Sequence, residues 1–221
     1  MDPLTFVVLS LLGGVVAVDG TSFGQFMVSR PFVAATLAGW IVGSPLEGAA
    51  IGIVLEAFHL TVLPVGAARY PEGGPAAVAG GAVYALSDHE PSTLLLGVLV
   101  VLLLEWVGGE TVRLMRRANV RLMNDKHKFQ GTARWLELRH VAAIAVDFLR
   151  GMVLFAVGAL ILVATVRFVA PLWGLGEELP RLLLAALVPG LLASAVRMVG
   201  WRAWFAAAGA IGGVGFILVA G

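Results

Sequence analysis

Apolar residues run along this chain in blocks that end at charges or prolines. The uncharged blocks are residues 3–18, 31–46, 73–87, 91–104, 151–166, 182–196 and 203–221. A straight helical crossing of a bilayer needs about 20 mostly apolar residues, with about 17 as the lower limit. Only 203–221 reaches that length unaided. The other blocks either borrow polar neighbours or enter and leave the membrane on the same side. Glycine and proline interrupt several of them, as at Gly13-Gly14, Gly39, Gly43, Gly52, Gly80-Gly81, Pro189-Gly190 and Gly212-Gly213. Irregular backbone at membrane depth is tolerated only where protein buries it or where it lines a cavity. Short, broken hydrophobic segments are how transporters build midplane sites. Glycines also mark close helix contacts, and Gly39/Gly43, Gly48/Gly52 and Gly209/Gly213 have the GxxxG spacing for that. Packing is expected to explain most of the glycines.

Composition narrows the class. Of 221 residues, 59% are apolar and 13% charged, with a mean hydropathy of +0.94. An average soluble domain carries about twice that share of charge. The 15 Lys+Arg and 14 Asp+Glu cannot clothe a soluble globule, which disfavours a soluble enzyme, a disordered chain and a nucleic-acid binder. The expectation is one integral membrane domain, 1–221. The N-terminal block follows Asp2 rather than a basic segment and is followed by Asp19, so it reads as a retained membrane segment. There are no cysteines, and His59, His89, His127 and His140 are scattered. No metal site and no cofactor are expected.

Charge is distributed unevenly. Arg113, Arg116, Arg117, Arg121, Lys126, Lys128, Arg134 and Arg139 lie within 113–139, opposed there only by Asp125 and Glu137. Basic loops are retained on the cytoplasmic side, so this segment is expected inside. Arg113, Arg116 and Arg117 have helical spacing, which predicts a helix leaving the membrane as a basic stretch facing either lipid headgroups or a soluble partner. Other charges fall at membrane depth, where each costs roughly 3 kcal/mol on insertion scales. Glu56 and His59, three apart in an otherwise apolar segment, share one helical face. Asp147 and Arg150, also three apart, read as an internal ion pair. Glu105 closes a Leu/Val run and reads as interfacial, and Asp88, His89 and Glu90 as a solvated connector.

The stretch 19–77 carries a specific order of motifs: Asp19, Gln25, Arg30-Pro31, Gly43-Ser44, a small-residue helix 48–56 ending in Leu55-Glu56, Val65-Gly66-Ala67-Ala68, and Pro71-Glu72. It resembles the membrane subunit IIC of mannose/sorbose-type sugar phosphotransferase systems. A second stretch, from Asn124-Asp125-Lys126 through His140 to Leu149-Arg150, is also similar. This chain has Gly43-Ser44 where the family shows Gly-Asp and Pro71-Glu72 where it shows Pro-Asp. His59 and Arg69 stand where the family pattern is apolar or small.

The resemblance implies an all-α, polytopic membrane fold with short broken or re-entrant segments, inverted repeats and an elevator-like core, in a bacterial cytoplasmic membrane. It implies a hetero-oligomer in which this chain and a subunit IID form the sugar path. Soluble IIA and IIB components then carry the phosphoryl group, so this chain is not itself an enzyme. A hexose is neutral and rich in hydroxyls, and its site needs donors and acceptors on a dry scaffold. Glu56 and Asp19 are the expected acceptors and Gln25 both donor and acceptor. Arg30 is expected as an anchor at a helix start, with His59, Asp147 and Arg150 as structural intramembrane polar groups. The rival reading is a diverged IIC-like subunit without phosphotransferase coupling, either a facilitator or a structural subunit of another complex.

Overall fold

The computed structural model describes residues 1–60, 70–123, 133–173 and 176–198, with side chains described as far as 192. The expected crossing at 203–221 with its Gly209/Gly213 pair, the Val65–Ala68 motif with Arg69, and the middle of the basic segment lie outside the described residues. Every regular element described is helical.

Helix α1 (Pro3–Thr21) opens on Pro3, whose missing N–H is harmless in a first turn, and is capped by Asp2. The Asp2 carboxylate accepts from the Thr5 hydroxyl at 2.5 Å and the Thr5 N–H at 3.0 Å. Those bonds hold it below the usual carboxylate range. Gly13 and Gly14 do not break the helix. They let the sixth helix approach: a Cβ on Gly13 would lie 2.7 Å from the Phe155 Cβ, and one on Gly14 would lie 2.7 Å from the Phe148 ring.

Helices α2 (Pro31–Ile41) and α3 (Pro45–His59) form an antiparallel hairpin. Their 11 and 15 residues extend about 16 and 22 Å, short of a hydrocarbon core of about 30 Å. Gly39 meets Gly48, where a Cβ on Gly39 would sit 2.9 Å from the Gly48 Cα, and Gly52 lies against the Phe32 backbone. Gly43 is different: it makes the turn with φ +92°, a conformation open to glycine at little cost. Two glycine roles are thus separated within one pair at GxxxG spacing.

Helix α4 (Gly73–Ala85) is the hub. All its residues are buried, and it packs against α1, α2 and α3 and against the two long helices that follow. Its Gly/Ala sequence is the reason it fits. A Cβ on Gly81 would lie 2.7 Å from the Ala35 Cα, and one on Gly80 would lie 2.7 Å from a Val101 methyl.

Helix α5 (Pro91–Met123) has 33 residues and α6 (Ala133–Ala164) has 32, about 50 and 48 Å. A π-helical turn (Thr165–Val169) and a 3₁₀ turn (Ala170–Leu172) continue α6, and α7 (Glu178–Met198) contains Pro189. Among the described residues three helices are long and apolar enough to cross a membrane: Pro3–Thr21, Pro91–Arg121 and Ala133–Leu172. The uncharged block 91–104 is only the first part of a far longer helix, and 151–166 is the second half of another together with the start of the π-helical turn. Glu105, Asp147 and Arg150 do not end them because protein partners, not lipid, surround those charges. α5 runs without a break through Arg113, Arg116 and Arg117, as their spacing predicts.

Candidate functional site

The end of α1, both ends of the α2–α3 hairpin and the start of α4 meet at one level around a half-open cavity of about 460 Å³ with several polar side chains in its wall. That falls within the roughly 300–1,000 Å³ typical of small-molecule sites. The hairpin therefore enters and returns at the same level, the second of the two options open to a short block.

Asp19 lines this cavity and is buried, 5% exposed. Its carboxylate accepts from the backbone N–H groups of Phe26 at 2.6 Å and Ser29 at 2.8 Å. The loop so held contains Gln25 at φ 55° and Met27 at φ 66°. Each left-handed non-glycine residue costs roughly 1–2 kcal/mol, so the Asp19 bonds hold a strained loop in place. Gln25 and Ser29 line the cavity from that loop.

Arg30 also lines the cavity and occupies the N-cap position of α2. Its guanidinium Nη2 donates to Glu56 Oε1, and the Phe32 N–H reaches Glu56 Oε2 at 3.3 Å. Glu56, expected as the principal acceptor, stands behind Arg30 and is not among the lining residues. His59 does line the cavity, and its Nε2 lies 3.1 Å from Glu105 Oε2. Glu105 is buried within the protein, 1% exposed.

The internal pair of α6 proves to be part of a larger network. Arg150 donates to Asp147 Oδ1 from Nε at 2.9 Å and from Nη2 at 2.7 Å. Its fork also grips both oxygens of Glu72, at 2.5 Å from Nη2 to Oε1, and its Nη1 reaches Thr111 at 3.0 Å. Asp147, fully buried, accepts on Oδ2 from the hydroxyls of Thr21 and Ser22. The network ties α1, α4, α5 and α6 together beneath the cavity, and Glu72 and Thr21 are both lining residues. Buried charges survive in proteins when paired and hydrogen-bonded, which is the condition met here.

Sequence reasoning left Glu72, Tyr70, Ser29 and Glu105 out of the candidate site. Glu72 had a signal: a carboxylate opening a run of small residues with no basic partner in that run. Tyr70 had none, because its meaning comes from Arg116, whose Nη2 donates to the Tyr70 hydroxyl at 3.1 Å with the guanidinium 5.6 Å over the ring. That contact joins the cavity wall to the basic extension of α5.

The fold and this cavity define an all-α, polytopic membrane protein whose polar groups converge on one solute-sized site. The chain belongs to a known family of such proteins, that of the PTS system sorbose-specific IIC component, which matches it over residues 4–187. The chain is similar to the PTS system sorbose-specific EIIC component of Klebsiella pneumoniae, with 28% identity over 133 residues, 59% of this chain and 49% of that protein. It is also similar to the fructose permease IIC component of Bacillus subtilis (strain 168), with 25% identity over 169 residues, 76% of this chain and 61% of that one. The chain thus spans about half to three fifths of the length of these relatives. A solved chain described as the structure of a membrane protein matches with a TM-score of 0.71 at 19% identity, covering 100% of this chain and 87% of that one. That likeness shows the fold.

Proposed function

We propose that this chain is the sugar-translocating IIC subunit of a phosphoenolpyruvate-dependent phosphotransferase permease, a single multi-pass domain of the bacterial cytoplasmic membrane. It forms the sugar path with a IID subunit, and IIA and IIB components carry the phosphoryl group. The observation that carries this reading is the half-open cavity between the hairpin ends and the start of α4. Its wall offers Asp19, Gln25, Ser29, Arg30 and Glu72, the mixture of acceptors and donors a neutral hexose requires. Asp19 and Gln25 meet the solute directly, and Glu56 acts through Arg30. The two relatives are named for sorbose and fructose, so the substrate class is a hexose.

The rival, uncoupled reading drew on Gly43-Ser44 in place of an acidic turn. That turn is the tip of the hairpin, about 16 Å of α2 away from the cavity, so the missing carboxylate takes nothing from the site. The test is uptake of labelled hexoses by cells producing this chain with IIA, IIB and IID components. Uptake that needs phosphoenolpyruvate and IID is expected; uptake independent of both would establish the rival, and absence of any uptake or binding would refute transport. The basic end of α5 faces the cytoplasm in this reading. Because the chain has no cysteine, a single cysteine at exposed Ala118 should resist a membrane-impermeant thiol reagent in intact cells.

A further inference from the structure

Glu105 lies on α5, outside the cavity, and has no place in the proposed transport reading. Its side chain is 2% exposed. One oxygen meets the His59 imidazole at 3.1 Å; the other is buried and has no hydrogen-bond partner among the described residues. A carboxylate is a poor choice for packing alone, since an apolar residue of similar volume is often neutral or better at a buried ion-pair position. His59 is more open than Glu105, with its side chain 15% exposed, and it lines the cavity. Gly73 packs against the same edge of the ring, where an added Cβ would come within 2.6 Å of the His59 Cε1 and 2.8 Å of its Nε2. The Nε2 edge of the imidazole is therefore packed against both a buried carboxylate of α5 and the first residue of α4.

We infer that Glu105 is a positioning residue for the solute site: it fixes the ring and tautomer of His59, and His59 is a specificity-determining contact for sugar hydroxyl groups. The inference rests on the transport reading above. The chemistry is directional. A carboxylate oxygen that accepts from the ring pairs with a proton on Nε2, and a neutral imidazole so held has Nδ1 as its acceptor. A ring held in one tautomer distinguishes a hydroxyl offered at the right position from one offered elsewhere, because the unmatched buried polar group goes unpaired. A ring free to switch tautomers accepts either arrangement. Among the described residues, the other charges lining the cavity already have partners: Arg30 in Glu56, Glu72 in Arg150, and Asp19 in backbone N–H groups.

Two measurements on the full chain test this. The chain has 4 histidines, so ¹⁵N-histidine labelling of the detergent-solubilised protein gives few resonances, and His59→Gln assigns the one that matters. The Nε2–H tautomer is expected in the parent chain, with a shift toward a mixture in Glu105→Gln. In the assembled permease, Glu105→Gln should raise KM for the preferred hexose about tenfold with Vmax within about twofold, and should flatten discrimination among hexose epimers. His59→Gln, which retains donor and acceptor groups, should keep more of that discrimination than His59→Ala. An unchanged tautomer in Glu105→Gln overturns the inference. So does a fall in Vmax with KM and epimer ranking intact, which would make the pair a structural tie. If Glu105→Gln fails to insert, Glu105→Asp, which withdraws the carboxylate from the ring, is read by the same two criteria. A parent permease that moves no hexose overturns the transport reading, while the histidine spectrum still decides whether Glu105 fixes the ring.

Discussion

Two cavities share Asp19 and the loop that follows it, yet they differ in almost everything else. The larger, about 670 Å³, lies between α1 and α6 and is lined by Val15, Val18, Phe23, Phe26, Ile144 and Phe148 among others. The smaller, about 460 Å³, gathers Gln25, Arg30, His59, Tyr70 and Glu72. In water the larger hollow would be the natural candidate for a ligand. In a bilayer an apolar groove on the outside of a helix pair is a place for acyl chains. What marks a solute site there is the convergence of polar groups that could not face lipid. Volume ranks the two one way and chemistry the other, and chemistry decides.

Substitutions that break this contrast should fall in a clear order. The largest effect is expected from Arg150→Ala, which leaves Glu72 and Asp147 buried without their cation at a cost of about 3–5 kcal/mol. Thermal unfolding in mild detergent should show it as a large loss of stability, with poor recovery from the membrane, and Arg150→Lys should recover part of that loss but not the bidentate grip on Glu72.

Glu56→Gln comes next. It removes the charge that holds Arg30 while preserving shape, so the protein should insert normally while sugar uptake falls roughly 10- to 100-fold. Wild-type transport by a normally inserted Glu56→Gln chain would reduce Glu56 to a packing residue.

Asp19→Asn sharpens the contrast because it touches both cavities. It weakens the bonds to Phe26 and Ser29 by about 1 kcal/mol. Hydrogen exchange should accelerate across residues 22–30, and sugar affinity should drop about fivefold. The smallest effect is predicted for Phe23→Ala on the apolar side, where the ring is 65% exposed. Stability should change by less than about 0.5 kcal/mol, and uptake should not change.

Much of this arrangement was legible in the chain itself. The shortness of the block between Arg30 and Glu47 showed that it cannot cross unaided; that it turns at Gly43 and returns as a helix to His59 was not read from the sequence. Asp19, Arg30 and His59 could be named because polar residues in apolar surroundings are conspicuous, and Gln25 because the family resemblance pointed to it. The partnerships could not. Glu56 and His59 share a helical face, yet each is claimed by a different neighbour, Arg30 and Glu105. Neither partner follows from helical spacing, since both come from other elements. Glu105 looked interfacial because it ends an apolar run; it is buried because α5 continues past it and α3 covers it. Glu72 was hidden for a related reason: its cation lies 78 positions away along the chain.

That separation also has a meaning in time. A chain emerges from the ribosome at about 5–20 residues per second, and every polar group of the cavity belongs to its first third. Glu72 must wait for Arg150, 78 residues later. The hydroxyl of Thr21 must wait for Asp147, 126 residues later, an interval of about 6 to 25 s at that speed. His59 waits 46 residues for Glu105. During that interval the hairpin, too short to cross by itself, has no buried hub to lie against. The polar cavity is therefore complete only once α6 has been made. A nascent chain halted before α6 carries the sequence of the cavity without its charge partners.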